Sequence, residues 1–137
     1  RLAHAKGIRI VPLSGPSSIL LGLMASGLNG QRFRFHGYLP REKSDRQSAL
    51  KQLEKDIRRS GETQIFIETP YRNQALLEDM LSTLQTDILL CIGRELDSDK
   101  GSVLTKSISD WKKTRPELGK QPCIYLLGAG PAWRRTV

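Results

Sequence analysis

The chain has 137 residues, with 22 Lys+Arg against 14 Asp+Glu, a formal net charge of +8. Its 38% apolar and 6% aromatic residues suit a folded domain and exclude a disordered, collagen-like or low-complexity chain. The longest apolar stretch, residues 19–25, is far short of the ~20 residues a membrane span needs, so no membrane partner is expected.

In chain order, a short helix closed by Gly7 leads into residues 8–13, Ile-Arg-Ile-Val-Pro-Leu, which read as a strand. Ser14-Gly15-Pro16-Ser17-Ser18 is a small-residue turn opening a helix, with Pro16 early in it and Gly27 past its end. That helix is apolar all round and is expected to be buried on every side. The segment up to about Gly27 reads as the last strand and exit helix of a preceding domain. Residues 32–37 alternate polar and apolar, the mark of a half-buried strand. Ser44-Asp45-Arg46-Gln47 fits a capping box for a helix running to Gly61, with Leu50, Leu53 and Ile57 as a narrow apolar stripe.

Residues 64–68 form the next predicted strand, with Thr69 as N-cap and Pro70 at the first position of a helix. That helix places Leu76, Leu77, Met80, Leu81 and Leu84 on one face. The continuous apolar run at 88–92 predicts a strand covered on both faces. A short strand at 102–105 precedes a helical turn around Ile108 and Trp111, and residues 123–127 make the last strand. Alternating strands and helices predict a layered α/β architecture, a small sheet of about five strands with helices on its faces.

Several clusters bear chemistry, each with a plainer alternative. Backbone N–H groups at the turn Ser14 to Ser18 suit a polar or anionic ligand, as strand-to-helix turns of open α/β sheets do; a simple capping turn has the same composition. Glu68-Thr69-Pro70-Tyr71-Arg72 gathers a carboxylate, a phenol and a guanidinium at one end of the sheet, as a substrate site or as local ion pairing. Gly93-Arg94-Glu95 ends the most apolar strand. If that strand continues, Arg94 and Glu95 point to opposite sides. Between residues 41 and 59 lie seven Lys/Arg and four Asp/Glu. With Arg32 and Arg34 they make either a positive face for phosphate backbones or a solvated face of i,i+4 pairs. His4 and His36 lack metal-ligand spacing, and His36 falls on the polar, water-facing phase of its strand. Cys91 and Cys123 sit inside apolar strands as small core residues. Two cysteines make neither a disulfide framework nor a zinc site. With no secretory signal in view, a reducing, cytoplasmic setting is expected.

Together the motifs carry a resemblance. Val11-Pro12-Leu13-Ser14-Gly15-Pro16-Ser17-Ser18, Ala25-Ser26-Gly27-Leu28, Arg32-Phe33 and Gly37-Tyr38-Leu39-Pro40 resemble the tetrapyrrole methylase superfamily. Phe66-Ile67-Glu68-Thr69-Pro70-Tyr71-Arg72 and Gly93-Arg94-Glu95-Leu96 sharpen the likeness to its ribosomal RNA small subunit methyltransferase I branch. That resemblance implies a dimeric, two-lobed methyltransferase, with S-adenosylmethionine folded into the cleft between the lobes. Residues 1–27 would then be the last strand and exit helix of a truncated N-terminal lobe, 28–130 the C-terminal α/β lobe, and 131–137 a tail.

Carried over by position, the resemblance assigns Ser17, Ser18, Ile19, Ile67, Gly93, Arg94, Pro122 and Cys123 to the cofactor. Tyr71 and Arg72 go to the substrate side, and Glu68 and Glu95 are the candidate catalytic bases. The branch pattern departs at Asp97-Ser98-Asp99-Lys100, at Lys120-Gln121-Pro122 and at Tyr71, all on the expected substrate side. Three functions follow: the C-terminal lobe of an RNA 2′-O-methyltransferase, a related lobe acting on a small tetrapyrrole-like acceptor, or a noncatalytic dimerisation or RNA-binding module. The fragment by itself is expected to be inactive. A cleft lined by apolar residues, with basic residues elsewhere, would favour the small-molecule acceptor.

Overall fold

The computed structural model describes residues 1–131; apart from Pro131, the expected tail lies outside the described residues. Strands β1 (Phe33–Tyr38), β2 (Thr63–Glu68), β3 (Leu89–Arg94), β4 (Ser102–Ser107) and β5 (Cys123–Gly128) form one sheet, in the order β1-β2-β5-β3-β4. Only β1 and β2 are parallel neighbours, connected through helix α3 (Lys43–Ser60); every other neighbouring pair is antiparallel. This is the expected layered α/β architecture.

Side-chain alternation along the central strands divides the core into two layers. Phe66, Leu90, Ile92, Tyr125 and Leu127 face one side, where they pack on α3, α4 (Asn73–Thr83) and α5 (Ile108–Thr114) through Leu50, Leu53, Ile57, Leu76, Leu77, Met80, Ile108 and Trp111. Ile65, Cys91, Ile124 and Leu126 face the other side and meet Leu23 of α2 (Ser18–Ser26). β5 is covered on both faces, which explains its unbroken apolar sequence. The Thr105 hydroxyl donates to the Ser26 carbonyl at 2.7 Å and ties α2 to β4.

Three local expectations are corrected. Residues 8–13 form no strand: they follow the short helix α1 (Leu2–Ala5), and Ile8, Ile10, Val11 and Leu13 are exposed. A strand is stabilised by its ladder, and no described strand pairs with this segment. Helix α2 is covered on one side only, because a single sheet face meets it; Gly22, Leu23 and Ser26 are buried, whereas Leu20 and Met24 are 52% and 74% exposed. The capping box is absent. α3 begins at Lys43 with Glu42 at the N-cap position and no side-chain cap, so Ser44 lies inside the first turn. The Gln47 amide points at Asp79 instead of back to the helix start. At the next helix, Thr69 does precede Pro70, but they open a 3-10 turn, Pro70–Arg72, before α4 begins, and the Thr69 side chain caps nothing.

Candidate active site

The antiparallel pairing of β2 and β3 with β5 brings two strand ends and one strand start to the same edge. Glu68 and Arg94 both lie opposite Cys123. A cavity of about 590 Å³ opens there. Of the residues expected from sequence, Ser18, Ile67, Glu68, Gly93, Glu95, Pro122 and Cys123 line it. Tyr38, Thr69, Pro70, Leu96, Ser98 and Ile124 complete the wall.

Glu68 is the most constrained group. Its side chain is fully buried. Oε1 accepts from the Thr69 N–H at 2.6 Å and from Arg72 Nε and Nη2 at 2.9 and 2.5 Å. Oε2 is buried with no hydrogen-bond partner among the described residues. A buried carboxylate oxygen left without a donor is uncommon and calls for an explanation; here it belongs to a residue of the cavity wall.

Gly93 permits a close approach of two strands. A Cβ there would stand 2.8 Å from Ile124 Cγ2 and 3.3 Å from Leu96 Cδ1. The loop that follows is tightly wound: Glu95 and Asp97 have φ of +46° and +67°, a region costly for side chains other than Asn, Asp and Gly. It is held by the Glu95 N–H donating to Pro122 O at 3.1 Å and by the Ser98 hydroxyl donating to Glu95 O at 2.7 Å. A Cβ on Gly101 would lie 2.9 Å from the carbonyl oxygens of both Glu95 and Ser98. The loop thereby holds Leu96 and Ser98 against the cavity.

On the β5 side, the Asn73 amide donates to Gln121 O at 2.7 Å and to Cys123 Sγ at 3.3 Å, and Asn73 Oδ1 accepts from the Tyr125 hydroxyl at 2.9 Å. Burial pushes the Cys123 thiol above its ordinary pKa, which suits a core residue and not a nucleophile. Burial does the same to Cys91.

The remaining expected residues are spread more widely. Ser17 stands at the N-cap position of α2 without a side-chain hydrogen bond, and Ile19 packs against the apolar cluster under α2. Neither lies on the cavity wall. Tyr71 is 80% exposed, with Lys120 Nζ 5.1 Å from its ring centroid. Arg72 lines an adjoining cavity of about 570 Å³ together with Tyr38, Leu39, Pro40, Arg41 and Thr69, so its guanidinium bridges Glu68 and a second recess. Arg94 lines a smaller cavity beside α5. Half of the six cations of helix α3 are in ion pairs, Arg46 with Asp79, Arg58 with Glu54 and Asp87, Arg59 with Asp56, so the solvated-face alternative holds for that half. His36 Nε2 meets Gln64 Oε1 at 2.7 Å instead of facing open water.

Tyr38 and Leu96 belonged to the motifs already noted, so their place on the wall had a signal. Tyr38 reaches it through a register irregularity after Phe35, with Gly37 at φ +68°. Ser98 belonged to the departing Asp97-Ser98-Asp99-Lys100 segment, whereas Ile124 carried no signal; nothing in a core isoleucine marks a ligand wall.

Comparison with known proteins places this geometry. No family model matches the chain. In fold it is similar to the crystal structure of the methyltransferase CobJ, with a TM-score of 0.52 and 22% identity over 99% of this chain and 58% of that one. The fold is thus one found in a methyltransferase. In sequence the chain is 38% identical over 96 residues to ribosomal RNA small subunit methyltransferase I of Escherichia coli O157:H7, covering 70% of this chain and 32% of that protein. It is 30% identical over 135 residues to the Pseudomonas aeruginosa protein of the same name, covering 96% and 46%. The chain is thus similar in sequence to ribosomal RNA small subunit methyltransferase I of several bacteria, and it spans less than half the length of these relatives.

Proposed function

We propose that this lobe forms one wall of the S-adenosylmethionine site of an RNA methyltransferase that modifies a ribose 2′-hydroxyl, with a second, N-terminal lobe supplying the opposite wall. The observation that carries the cofactor site is the cavity at the ends of β2 and β3, with Glu68 in its wall; the RNA acceptor rests on the likeness to ribosomal RNA small subunit methyltransferase I, while a wall lined by no Lys or Arg favours the small acceptor as the second reading. The cavity volume, about 590 Å³, falls in the ~300–1,000 Å³ range of small-molecule sites. The Glu68 carboxylate in this wall gives it a negative charge suited to the cofactor's amino and hydroxyl donors, and Gly93 keeps the strand end packed close beneath Ile124 and Leu96.

When bound, the cofactor supplies a methyl group already activated on a sulfonium. The chain's own part is alignment. Ile67, Gly93, Pro122 and Cys123 give a close, mostly apolar wall. Ser18 presents a hydroxyl at the start of α2. Arg72 fixes the Glu68 carboxylate through Oε1. Glu95 is the freer carboxylate and serves as the base that draws the proton from an acceptor hydroxyl, whose high pKa makes such help useful. Tyr71 and Arg72 lie on the substrate side. The reading extends to Ser17, Ile19 and the Arg94 backbone as neighbours of the cofactor, and to a homodimer acting in the cytoplasm, where two free buried cysteines are at home.

The test is methyl transfer from labelled S-adenosylmethionine by this lobe joined to the N-terminal half of a full-length relative, offered small-subunit ribosomal RNA and a tetrapyrrole in parallel. RNA labelling confined to ribose, and at least tenfold slower with Glu95→Gln, is the expected result. Labelling of the tetrapyrrole alone would replace the acceptor, and unchanged turnover in Glu95→Gln would remove the base.

A further inference from the structure

The alternation of β3 sends consecutive residues to opposite faces. Gly93 opens on the cavity described above. Arg94 falls on the other face, beside α5, where it lines a separate cavity of about 130 Å³ with Ser102, Lys106, Trp111 and Thr114. The β3–β4 register makes this placement consistent, since Arg94 lies opposite Ser102 and Leu90 opposite Lys106, all on the α5 side.

The chemistry of this recess is one-sided. It holds a guanidinium, an ammonium and two hydroxyls, and no carboxylate. Among the described residues neither cation forms an ion pair. Arg94 Nε donates only to Ser102 Oγ, at 3.3 Å. Lys106 Nζ sits 5.0 Å from the centre of the Trp111 ring, and the nearby Asp110 carboxylate is taken by Lys113 at 2.8 Å. Trp111 is rigid: its indole N–H donates to Leu90 O at 2.8 Å and the ring is 4% exposed. Two cations held against a fixed apolar wall, neither in an ion pair among the described residues, make a binding site for an anion. The recess has room for a tetrahedral oxyanion.

We infer that the recess between β3, β4 and α5 is a phosphate site, filled by a backbone phosphodiester of a polynucleotide or by free phosphate. The site lies on the face of the sheet away from α2 and is independent of the methyl-transfer reading. Because Arg94 is chained to Gly93 and Glu95, a polynucleotide anchored here lies one residue of β3 from the larger cavity.

The experiment is a titration of inorganic phosphate into the 137-residue chain, followed by the indole N–H of Trp111, the Arg94 Nε–H and the Ser102 amide in nitrogen–proton spectra, with chloride at matched ionic strength as reference. Saturable shifts at these three groups are expected. Arg94→Gln and Lys106→Gln should each weaken phosphate at least about tenfold, while Lys51→Gln on the exposed side of α3 should change nothing. Amide spectra of the variants check that each remains folded. Shifts reproduced by chloride, or left intact in both cavity variants, would overturn the site. A single-stranded ribo-oligonucleotide is then added. Displacement of phosphate, with the salt slope lowered by about 0.7 in Arg94→Gln, identifies a backbone phosphodiester as the occupant. Phosphate binding that the oligonucleotide leaves untouched identifies the free ion.

Discussion

Arg72→Met is the perturbation that most sharply tests how the candidate site is held. It keeps an apolar stem but removes the guanidinium from Glu68, whose side chain is fully buried and whose only other donor among the described residues is the Thr69 N–H. Stripping one partner from a buried pair costs ~3–5 kcal/mol. Arg72 is 28% exposed, so water takes over part of its role and about 2–3 kcal/mol is the appropriate figure. An unfolding entropy of about 2.1 cal/mol/K per residue over 137 residues gives ~0.29 kcal/mol/K. The expected fall in Tm is therefore about 9 °C. Urea unfolding at pH 7 measures the same loss directly. The double variant Glu68→Gln/Arg72→Met should recover more than half of it, because no buried charge is left unpaired. A Tm for Arg72→Met within about 2 °C of the parent would refute the reasoning and make the pair an ordinary surface contact.

Further outcomes follow from the same coordinates. Gly93→Ala forces a Cβ to within 2.8 Å of Ile124 Cγ2 and should cost ~1–3 kcal/mol by overpacking, measured by urea unfolding. Asp79→Asn uncovers the buried Arg46 guanidinium, now paired to Asp79 at 2.5 Å with side chains 8% and 4% exposed, and should cost ~3–5 kcal/mol. Cys91, Cys123 and Tyr125 all titrate above their ordinary values, chiefly through burial. The unfolded chain therefore loses these protons first, and stability should fall as pH rises above the ordinary thiol range near 8.5; urea midpoints at pH 7 and 10 check it. At the acid end the Asp87 carboxyl is held low, first by its hydrogen bond from Arg58. Its stabilisation is present above the ordinary carboxylate range and lost as pH falls below it, so Asp87→Asn should flatten the unfolding profile below about pH 4.

Much of the fold was legible where one residue pattern had one partner. Leu50, Leu53 and Ile57 repeat at helical spacing and are buried as a stripe, and the runs of β3 and β5 are central strands covered on both faces. Residues 8–13 have the same apolar signature, yet their strand would need a neighbouring ladder, which local pattern does not encode. Helix α2 likewise shows that apolar composition sets what a segment tolerates, whereas burial depends on what reaches it. At the site, strand ends were visible through Glu68, Gly93 and Cys123, because charges and small residues interrupt apolar runs there. The period of two carries the Arg94 side chain to the opposite face from the wall at Gly93. The pair Glu68 and Arg72 was equally open as ion pair or ligand site, and the structure makes the ion pair while leaving one oxygen without a donor.

The central claim is that the cavity at Glu68 and Gly93 is half of a cofactor site. Calorimetric titration of S-adenosylhomocysteine tests it most directly, on this chain and on the chain joined to the N-terminal half of a full-length relative. The account predicts binding by the joined protein, weakened at least about tenfold by Glu68→Gln through loss of a charged hydrogen-bond acceptor, and little or none by the lobe alone. No binding by the joined protein, or binding indifferent to Glu68→Gln and Gly93→Ala alike, would contradict it.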